Sequence, residues 1–305
     1  MLIRVLGAAA GGGFPQWNCN CANCHAVRHG SPHFKPRTQS SIAVSADGLR
    51  WILCNASPDL HRQIDAHPAL QPHHDIRQTP IVGVILVDGQ IDHATGLLLL
   101  RENPLPLEVW TTDAVREDLT TGLPFLNVLT HYCGVQWQRI NTDGVPLTVP
   151  ALPGIRITAI PVDGKPGPYS PHRQNPILGD NIALSFTDEQ SNRSVLYAPG
   201  LGAITPAMRQ ALRTADCVMV DGTFWTNDEM ITQKVSTKRA REIGHLPQSG
   251  EGGMIEVLSE LPKATRRILI HINNTNPILN EASLERAQLN RESIEVAYDG
   301  MEIQV

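Results

Sequence analysis

The chain has 305 residues, of which 41% are hydrophobic and 18% are charged, with a formal net charge of −5. These values are typical of a globular protein with one large domain or two smaller ones, and the acidic balance disfavours binding to nucleic acid or to an anionic membrane. No apolar run approaches the roughly 20 residues that span a bilayer. Residues 1–14 are too short and too rich in glycine for a secretory signal. We therefore expect a cytoplasmic protein.

Three closely spaced cysteines follow a glycine-rich loop near the N-terminus. Cys19, Cys21 and Cys24 form a CxCxxC pattern that can wrap one tetrahedral zinc ion and staple the loop over about residues 11–25. Six cysteines in all are too few and too uneven for a disulfide scaffold. The alternatives are three free thiols or a redox pair. The spacing leaves the fourth zinc ligand open between His25 and a distant histidine or asparagine.

Apolar patterns predict strands in groups with helices between them, and no repeat or low-complexity linker interrupts them. Strands are predicted at residues 2–6, 40–45, 51–55, 82–87, 107–112, 135–140, 217–220 and 266–270, twice within 146–163, and as hairpins at 181–200 and 294–305. Helices are predicted from residue 57, within 113–129, at 94–100, 205–214 and 254–261, and once before the C-terminal hairpin. The polar connector 67–80 carries side chains that we expect to face solvent, namely His67, His73, His74 and Asp75. The pattern suggests two sheets flanked by helices in one α/β domain, residues 1–305.

A strand-to-helix turn in the middle of the chain carries the sequence DGQIDH. Asp92 and His93 lie in this turn, where α/β proteins place their chemistry. A carboxylate beside an imidazole is half of a metal site. The alternative is that Asp92 caps the following helix and His93 is a polar surface residue.

Two later strands also end in polar residues, Asp221 and His271. Because loops at one edge of a sheet stack converge, these residues could share a cleft with Asp92 and His93. Two imidazoles and one carboxylate are the usual ligands of non-haem iron(II) oxygenases, whereas a zinc hydrolase normally needs three or more protein ligands per ion. Taken alone, His271 could equally end a buried strand and hydrogen-bond a carbonyl.

A loop rich in proline and glycine, residues 164–175, contains Tyr169, His172 and Arg173. A loop this long without regular structure is often functional. Together with His245, these side chains are candidates to bind substrate carboxylates, and the arginine is the best suited of them. The alternatives are loop packing and surface charge.

The order of elements, the glycine loop and the Asp–His pair resemble the metallo-β-lactamase superfamily. The resemblance implies an αβ/βα four-layer sandwich with metals at the sheet edges. The superfamily's HxHxDH motif aligns with Asp88, Gln90, Asp92 and His93, so two ligands match and the first two histidines are absent. The middle histidine and the bridging aspartate are absent too, whereas the late histidine matches His271. The loss of one metal pocket argues against β-lactamase, phosphodiesterase and thiolesterase activity.

Within this superfamily the chain resembles the branch that takes part in biosynthesis of the redox cofactor pyrroloquinoline quinone (PQQ). The matching motifs run almost from end to end: FPQWNCNCANC, QIDHATGLLLLRE, PYSPHR, LYAPGLG, VDGTFW, GHLPQSG and HINNTNP. The resemblance implies iron(II)- and O₂-dependent hydroxylation of the tyrosine ring of a precursor derived from a cross-linked Glu–Tyr peptide. Asp92, His93 and His271 would hold the iron. Asp221 would be a further ligand or a base that orients a histidine or the phenol.

Related phosphodiesterases of the superfamily close a CxCxxC zinc loop with a residue three positions after the late histidine. That position is Asn274 here, which makes it a candidate fourth zinc ligand. The implied partner is the small-molecule or short-peptide precursor, and other proteins of the pathway and a second copy of the chain (a homodimer) are further candidates. The alternative function is a carrier or transport-related binding protein for PQQ or its precursor, without turnover. A zinc hydrolase is a third hypothesis, which the absent imidazoles oppose.

Overall fold

The computed structural model describes residues 1–73 and 75–305. The strands are β1 (Leu2–Gly7), β2 (Ser41–Ser45), β3 (Trp51–Cys54), β4 (Ile81–Ile85), β5 (Leu107–Thr111), β6 (Val135–Arg139), β7 (Ile155–Pro161), β8 (Ile182–Asp188), β9 (Ser194–Ala198), β10 (Cys217–Asp221), β11 (Arg266–Ile270), β12 (Ile294–Val296) and β13 (Glu302–Gln304). The helices are α1 (Ala22–Arg28), α2 (Leu60–Ala66), α3 (Ile91–Ala94), α4 (Asp113–Glu117), α5 (Phe125–Leu129), α6 (Pro206–Thr214), α7 (Glu229–Thr232), α8 (Met254–Ser259) and α9 (Leu284–Arg291). Short 3₁₀ helices cover Pro68–Leu70, Thr95–Leu100, Arg241–Ile243 and Pro277–Leu279.

Two mixed sheets form the centre of the molecule. One has the strand order β13-β1-β2-β3-β4-β5-β6 and the other the order β12-β11-β10-β9-β8-β7. Strands β3 to β6 are parallel to one another, and so are β9 to β12. Loops that leave the carboxyl ends of parallel strands gather at one edge of a sheet, which is where α/β proteins place their sites.

The inner faces of the two sheets share one apolar core. Fully buried side chains from both sheets meet there, including Val5, Ile85, Phe186, Tyr197 and Ile268. The β-branched and aromatic residues of the alternating strand patterns supply these contacts, because successive side chains of a strand point to opposite faces.

Helices cover the outer face of each sheet. Leu60 and Leu97 pack on the outside of the first sheet, and Met208 and Leu258 pack on the outside of the second. The predicted αβ/βα four-layer sandwich is therefore confirmed. No helix among the described residues is long and apolar enough to cross a membrane.

The prediction of a C-terminal hairpin is wrong. Strand β12 pairs in parallel with β11 of the second sheet, whereas β13 pairs antiparallel with β1 of the first sheet. Alternation of apolar residues predicts strands but does not reveal their partners, and the chain here crosses from one sheet to the other. The prediction of two strands within 146–163 is also wrong, since this segment forms only β7 and an isolated bridge between Leu147 and Ile157.

The polar connector after α2 differs from expectation at one residue. His67 is only 7% exposed, because it begins a 3₁₀ turn that packs on the body of the protein. His73 and Asp75 are exposed as expected, and His74 lies outside the described residues.

Candidate active site

The helix that follows β4 begins earlier than predicted. Helix α3 starts at Ile91, so Asp92 and His93 lie in its first turn, and the N-cap is Gln90, which makes no side-chain capping bond. The alternative role of Asp92 as a helix cap is therefore wrong. Both side chains are free to point towards the end of β11.

Three candidate metal ligands converge between the two sheets. Nε2 of His271 lies 3.3 Å from Oδ2 of Asp92, and Nε2 of His93 lies 3.7 Å from the same oxygen. One donor atom from each residue lies within 4.8 Å of the others. Gly11 of the N-terminal loop packs closely against this group of ligands, because a Cβ atom at position 11 would lie only 3.1 Å from Oδ2 of Asp92.

Hydrogen bonds orient both histidines of this corner. Nδ1 of His93 lies 2.8 and 2.9 Å from the carboxylate oxygens of Asp88, and Nδ1 of His271 lies 2.9 Å from Oγ1 of Thr223. Each imidazole therefore turns Nε2 towards the centre, as metal-binding histidines do. Nε2 of His93 is buried and has no hydrogen-bond partner among the described residues. A buried nitrogen without a partner, facing a carboxylate and a second imidazole, fits a metal ion.

The backbone of His271 adopts an unusual conformation, with φ of +61°. A non-glycine residue in the left-handed region carries strain, and such residues cluster at functional sites. The residue directly follows β11, so the change of direction aims its ring at Asp92 instead of continuing the strand.

Electrostatics favours the ionised form of the carboxylate and of the imidazole in this corner. Burial opposes ionisation of Asp92, but the neighbouring His93 and His271 outweigh it and lower the pKa of the carboxyl group. Burial likewise opposes protonation of His93, but Asp88 and Asp92 raise the pKa of the imidazole to about 9. A metal cation bound among Asp92, His93 and His271 would take the place of the second proton on the His93 ring. The nearby carboxylates attract a metal ion for the same reason that they attract a proton.

A second group surrounds the other side of His271. Asp221 accepts hydrogen bonds from the backbone amides of Leu201 and Thr223, both at 2.9 Å, and from Oγ1 of Thr223 at 2.6 Å. Its Oδ2 also accepts from Nδ1 of His245 at 2.7 Å. The ring of His245 stacks on that of His271 with a centroid distance of 5.4 Å. One donor atom each of Asp221, His245 and His271 lies within 4.8 Å of the others, a second grouping that the sequence did not reveal.

The predicted substrate-binding residues separate into two pairs. Arg173 and His245 line the cavity above the candidate ligands, which has a volume of about 320 Å³. Tyr169 and His172 are not brought to its lining. The Tyr169 hydroxyl donates to the carbonyl of Gly89, and Nε2 of His172 lies 3.2 Å from a carboxylate oxygen of Glu117. Both side chains therefore help to hold the loop of residues 164–175 in place instead of lining the cavity.

The three N-terminal cysteines converge as the CxCxxC spacing predicts. Their Sγ atoms lie within 4.8 Å of one another, and Nδ2 of the Asn274 side chain donates to the sulfurs of Cys19, Cys21 and Cys24 at 3.1, 3.6 and 3.4 Å. The hydrogen bond from Cys24 lowers the pKa of Cys21 to about 5, which favours a thiolate. Three sulfurs this close together suit a zinc ion, whereas Asn274 presents its amide nitrogen to them and would bind a metal only through its oxygen.

One alternative for this loop, His25 as the fourth zinc ligand, does not fit the structure. His25 is exposed and stacks on His29 with a centroid distance of 4.1 Å, away from the sulfurs. The three cysteines form no disulfide among the described residues, so the two alternatives of three free thiols and a redox pair both stay predictions.

Sequence reasoning missed the functional positions of Asp88, Thr223 and Gly11. The motif alignment marks Asp88 only as the place of an absent histidine, although it lies five residues before His93, the imidazole that it orients. Thr223 follows Asp221 by two residues in VDGTFW, and this short spacing was the available signal. Nothing in the sequence near Gly11 indicates its approach to Asp92.

Comparison with known proteins agrees with this geometry. The model of the β-lactamase superfamily domain matches residues 50–272. Two mixed sheets between helices, with histidines and carboxylates gathered at the strand ends, define a protein of the metallo-β-lactamase fold.

Similarity to individual proteins identifies the family within this superfamily. Coenzyme PQQ synthesis protein B of Stutzerimonas stutzeri is 57% identical over 304 residues, covering 99% of each chain, and that of Pseudomonas paraeruginosa is 56% identical over 306 residues, covering 100% of each. The crystal structure of Zn(2+)-bound PqqB from Methylobacterium extorquens superposes with a TM-score of 0.90 at 34% identity and covers 100% of both chains. The chain belongs to the coenzyme PQQ synthesis protein B family.

Proposed function

We propose that this chain takes part in PQQ biosynthesis as an iron(II)- and O₂-dependent hydroxylase of the tyrosine ring of a Glu–Tyr-derived precursor. One observation carries the proposal: Asp92, His93 and His271 converge on one point, and the residues at the first two positions of the metal motif are engaged elsewhere. Asp88 orients His93, and Gln90 donates to the carbonyl of Lys165 at 2.8 Å. Two imidazoles and one carboxylate leave several positions of an iron(II) ion open.

When bound, iron(II) supplies the activation of O₂ that a protein side chain cannot supply. The residues around the iron site would hold the ion and orient its ligands. Asp88 and Thr223 set the tautomers of His93 and His271, so that each presents the lone pair of Nε2 to the ion. Asp221 already accepts four hydrogen bonds, and we assign it to orienting His245 instead of binding the ion. His245 lines the cavity and can accept or hold a proton of the phenol.

The cysteine cluster has a separate, structural part in the proposal. Cys19, Cys21 and Cys24 would hold one zinc ion, and Asn274 would complete the set through its amide oxygen if the amide group, which here presents Nδ2 to the sulfurs, were reversed. The ion would tie the N-terminal loop to the segment after β11, and so keep Gly11 against Asp92. The relative from Methylobacterium extorquens is described as Zn(2+)-bound, which supports the presence of zinc in the family.

We further propose that the chain forms one domain that works in the cytoplasm, with the precursor as its ligand. Other proteins of the pathway and a second copy of the chain remain candidate partners. Zinc competes with iron for the Asp92 corner during purification, because it binds such ligands more tightly.

The test is single-turnover hydroxylation. Protein prepared without air is loaded with iron(II), mixed with a tyrosine-containing precursor and then exposed to O₂, and the product is examined by mass spectrometry for added oxygen. We expect a ring-hydroxylated product, and its loss in His93→Ala and Asp92→Ala. The matched control is His61→Ala, because His61 is an exposed histidine outside the cavity.

A folded, iron-loaded protein that adds no oxygen to the ring contradicts the hydroxylase. If such a protein also binds finished PQQ, and if the binding survives His93→Ala, the carrier function replaces it. Zinc-dependent cleavage of an ester or a phosphodiester would instead indicate a hydrolase.

A further inference from the structure

A second cavity shares no lining residue with the one above the candidate metal ligands. It has a volume of about 320 Å³, and its walls come from the end of β1, the segment before β2, helix α2 and the crossing between β12 and β13. Three charged side chains line it, namely Arg37, Arg62 and Asp299. We call it the arginine cavity. Two cations and one carboxylate give it a positive balance, which favours an anionic ligand.

Arg37 is a buried arginine without a carboxylate partner. The residue is only 4% exposed, and no carboxylate oxygen of the described residues lies within 4.0 Å of its nitrogens. Nε donates to the carbonyl of Ala297 at 3.1 Å and Nη1 to that of Lys35 at 3.0 Å, whereas Nη2 donates to no described residue. Arginine is rarely buried unless it is paired, because a buried charge is costly.

The Arg37 side chain keeps its charge in this position. Burial, and to a lesser degree the nearby Arg286, lower the pKa of Arg37 to about 10, which leaves the guanidinium protonated at neutral pH. Asp299 and Glu281 attract it only at longer range. Since the two carbonyls fix Nε and Nη1, the N–H groups of Nη2 remain for a ligand in the cavity.

Arg62 adds a second guanidinium to the cavity from helix α2. The residue is exposed, and it makes no ion pair within 4.0 Å in the part of the chain that the structure describes. Two arginines at one cavity suit an oxyanion, because each guanidinium offers paired N–H donors in one plane.

Asp299 restricts the kind of oxyanion that fits. Its Oδ1 accepts one hydrogen bond, from the Ala8 amide, and its Oδ2 accepts two, from the amide and the hydroxyl of Thr38. A carboxylate has about four positions for accepting hydrogen bonds, so Oδ1 can accept one more. An oxyanion without a proton meets this carboxylate as a like charge, whereas an oxyanion that keeps a proton can donate to it.

We propose that the arginine cavity binds hydrogen phosphate, which accepts from Arg37 and Arg62 and donates its own proton to Asp299. The ligand class is a tetrahedral oxyanion that keeps one acidic proton. Sulfate has no such proton, and a phosphate monoester loses it above a pKa of about 6. Bound phosphate would tie helix α2 to the segment before β2, because the two arginines belong to these elements.

Calorimetric titration tests the arginine cavity with inorganic phosphate, sulfate and methyl phosphate. Zinc-loaded protein is titrated in a chloride buffer at a pH of about 8, where methyl phosphate carries no acidic proton. We expect phosphate to bind at least about tenfold more tightly than either of the other two, a ratio that corresponds to about 1.4 kcal/mol. Phosphate should also raise the melting temperature, because a ligand that binds only the folded state stabilises it.

Arginine variants locate the contact. Arg62→Met removes an exposed donor, and we expect it to weaken phosphate binding by about tenfold or more, as the loss of a hydrogen bond to a charged group does. The matched control is Arg213→Met, an exposed arginine on α6 outside the cavity, which should leave the affinity unchanged. Arg37→Lys keeps the buried charge but loses the paired donors, and it should weaken binding as well. A melting temperature of Arg62→Met equal to wild type in chloride buffer excludes misfolding as the cause.

A further variant separates this cavity from the candidate metal centre, since phosphate also binds metal ions. His93→Ala removes a candidate metal ligand, and phosphate binding in the arginine cavity should survive it. Loss of phosphate binding in His93→Ala, unchanged binding in Arg62→Met, or equal affinity of the wild type for phosphate and either other anion would overturn the inference. The titration uses neither iron nor O₂, so a failed hydroxylation assay leaves its result intact.

Discussion

At the scale of single residues, Thr223 connects the two groups around the candidate metal centre. Its Oγ1 lies 2.6 Å from Oδ1 of Asp221, 2.9 Å from Nδ1 of His271 and 3.1 Å from Nδ1 of His245. Since the single hydroxyl proton goes to the carboxylate, the oxygen accepts from the ring of His271. That direction leaves Nε2 of His271 unprotonated and able to bind a metal.

We therefore expect Thr223→Val to weaken metal binding at this corner by about tenfold or more, the range typical for partners of metal-binding histidines. Thr223→Ser keeps the hydroxyl and should bind nearly as wild type. The measurement is titration of cobalt(II) or zinc(II) in competition with a chelator of known affinity. Equal affinity of the valine and serine variants would contradict the role of the hydroxyl.

Glu229 is a buried acid on α7, near the cysteine cluster. Burial raises the pKa of its carboxyl group to about 7, although the Trp225 amide donates to it at 2.6 Å and the Thr275 hydroxyl donates to it as well. The folded protein therefore holds a proton that the unfolded chain releases near pH 4.5, the usual value of a glutamate.

This shift makes stability fall as pH rises. Glu229 makes its full contribution to the free energy of unfolding below about pH 4.5. This contribution, about 3 kcal/mol, is lost as the pH rises from there through about 7. We expect Glu229→Gln to remove that part of the slope. The measurement is the free energy of unfolding in urea at several pH values for both proteins. Parallel profiles of the variant and the wild type would contradict the assignment.

At the scale of elements, the N-terminal loop and the segment after β11 depend on each other. The loop has little core of its own, and its cysteines meet Asn274 three residues after His271. The backbone carbonyls of Asn274 and Asn276 also accept from the Asn23 side chain on α1, at 3.0 and 2.9 Å. The cysteine cluster and the candidate active site are thus joined by one short stretch of chain.

Cys24→Ser should lose one equivalent of bound zinc and lower the melting temperature, because a structural zinc contributes directly to folding. Cys24 is fully buried, so the matched control is Cys54→Ser, a fully buried cysteine in the core between the sheets. The control should lose stability without losing metal. Mass spectrometry for metal content and thermal unfolding distinguish the two variants. Equal zinc content in Cys24→Ser and Cys54→Ser would contradict a structural zinc ion at the N-terminal cysteines.

At the scale of the whole molecule, the C-terminal segment contributes to both sheets. It adds the edge strand β12 to the second sheet and then crosses to the first sheet, where it adds the edge strand β13. Asp299 lies between β12 and β13, and its carboxylate accepts from the amides of Ala8 and Thr38 at 3.0 and 2.7 Å and from the Thr38 hydroxyl at 2.8 Å. It therefore joins the last crossing of the chain to the loop that reaches the active site.

We expect Asp299→Ala to destabilise the fold by about 2–4 kcal/mol, because it leaves buried amides without acceptors. The control is Glu302→Ala in β13, whose exposed side chain pairs with Arg4 and should cost about 1 kcal/mol or less. Urea unfolding measures both. A loss in Asp299→Ala no larger than in Glu302→Ala would show that the crossing does not depend on this carboxylate.

Much of the site could be predicted because its ligands lie next to strong sequence patterns. The apolar run before Asp92 and the one before His271 each predict a buried strand, and the ends of buried strands are few. The helix start at Ile91 and the engagement of Tyr169 and His172 behind the loop could not be predicted. They depend on contacts with residues far along the chain, which local propensity does not record.

By itself, the sequence determined the layered α/β class, the cysteine pattern and the family, because periodicity and spacing are local properties of the chain. Only the tertiary structure decided that β12 and β13 join different sheets, that Thr223 links His271 to Asp221, and that Arg173 and His245 line the same cavity. The physical reason is that sheet pairing and side-chain convergence are set by packing between segments separated by many residues. The same period-2 pattern is compatible with several partners, and packing selects one of them.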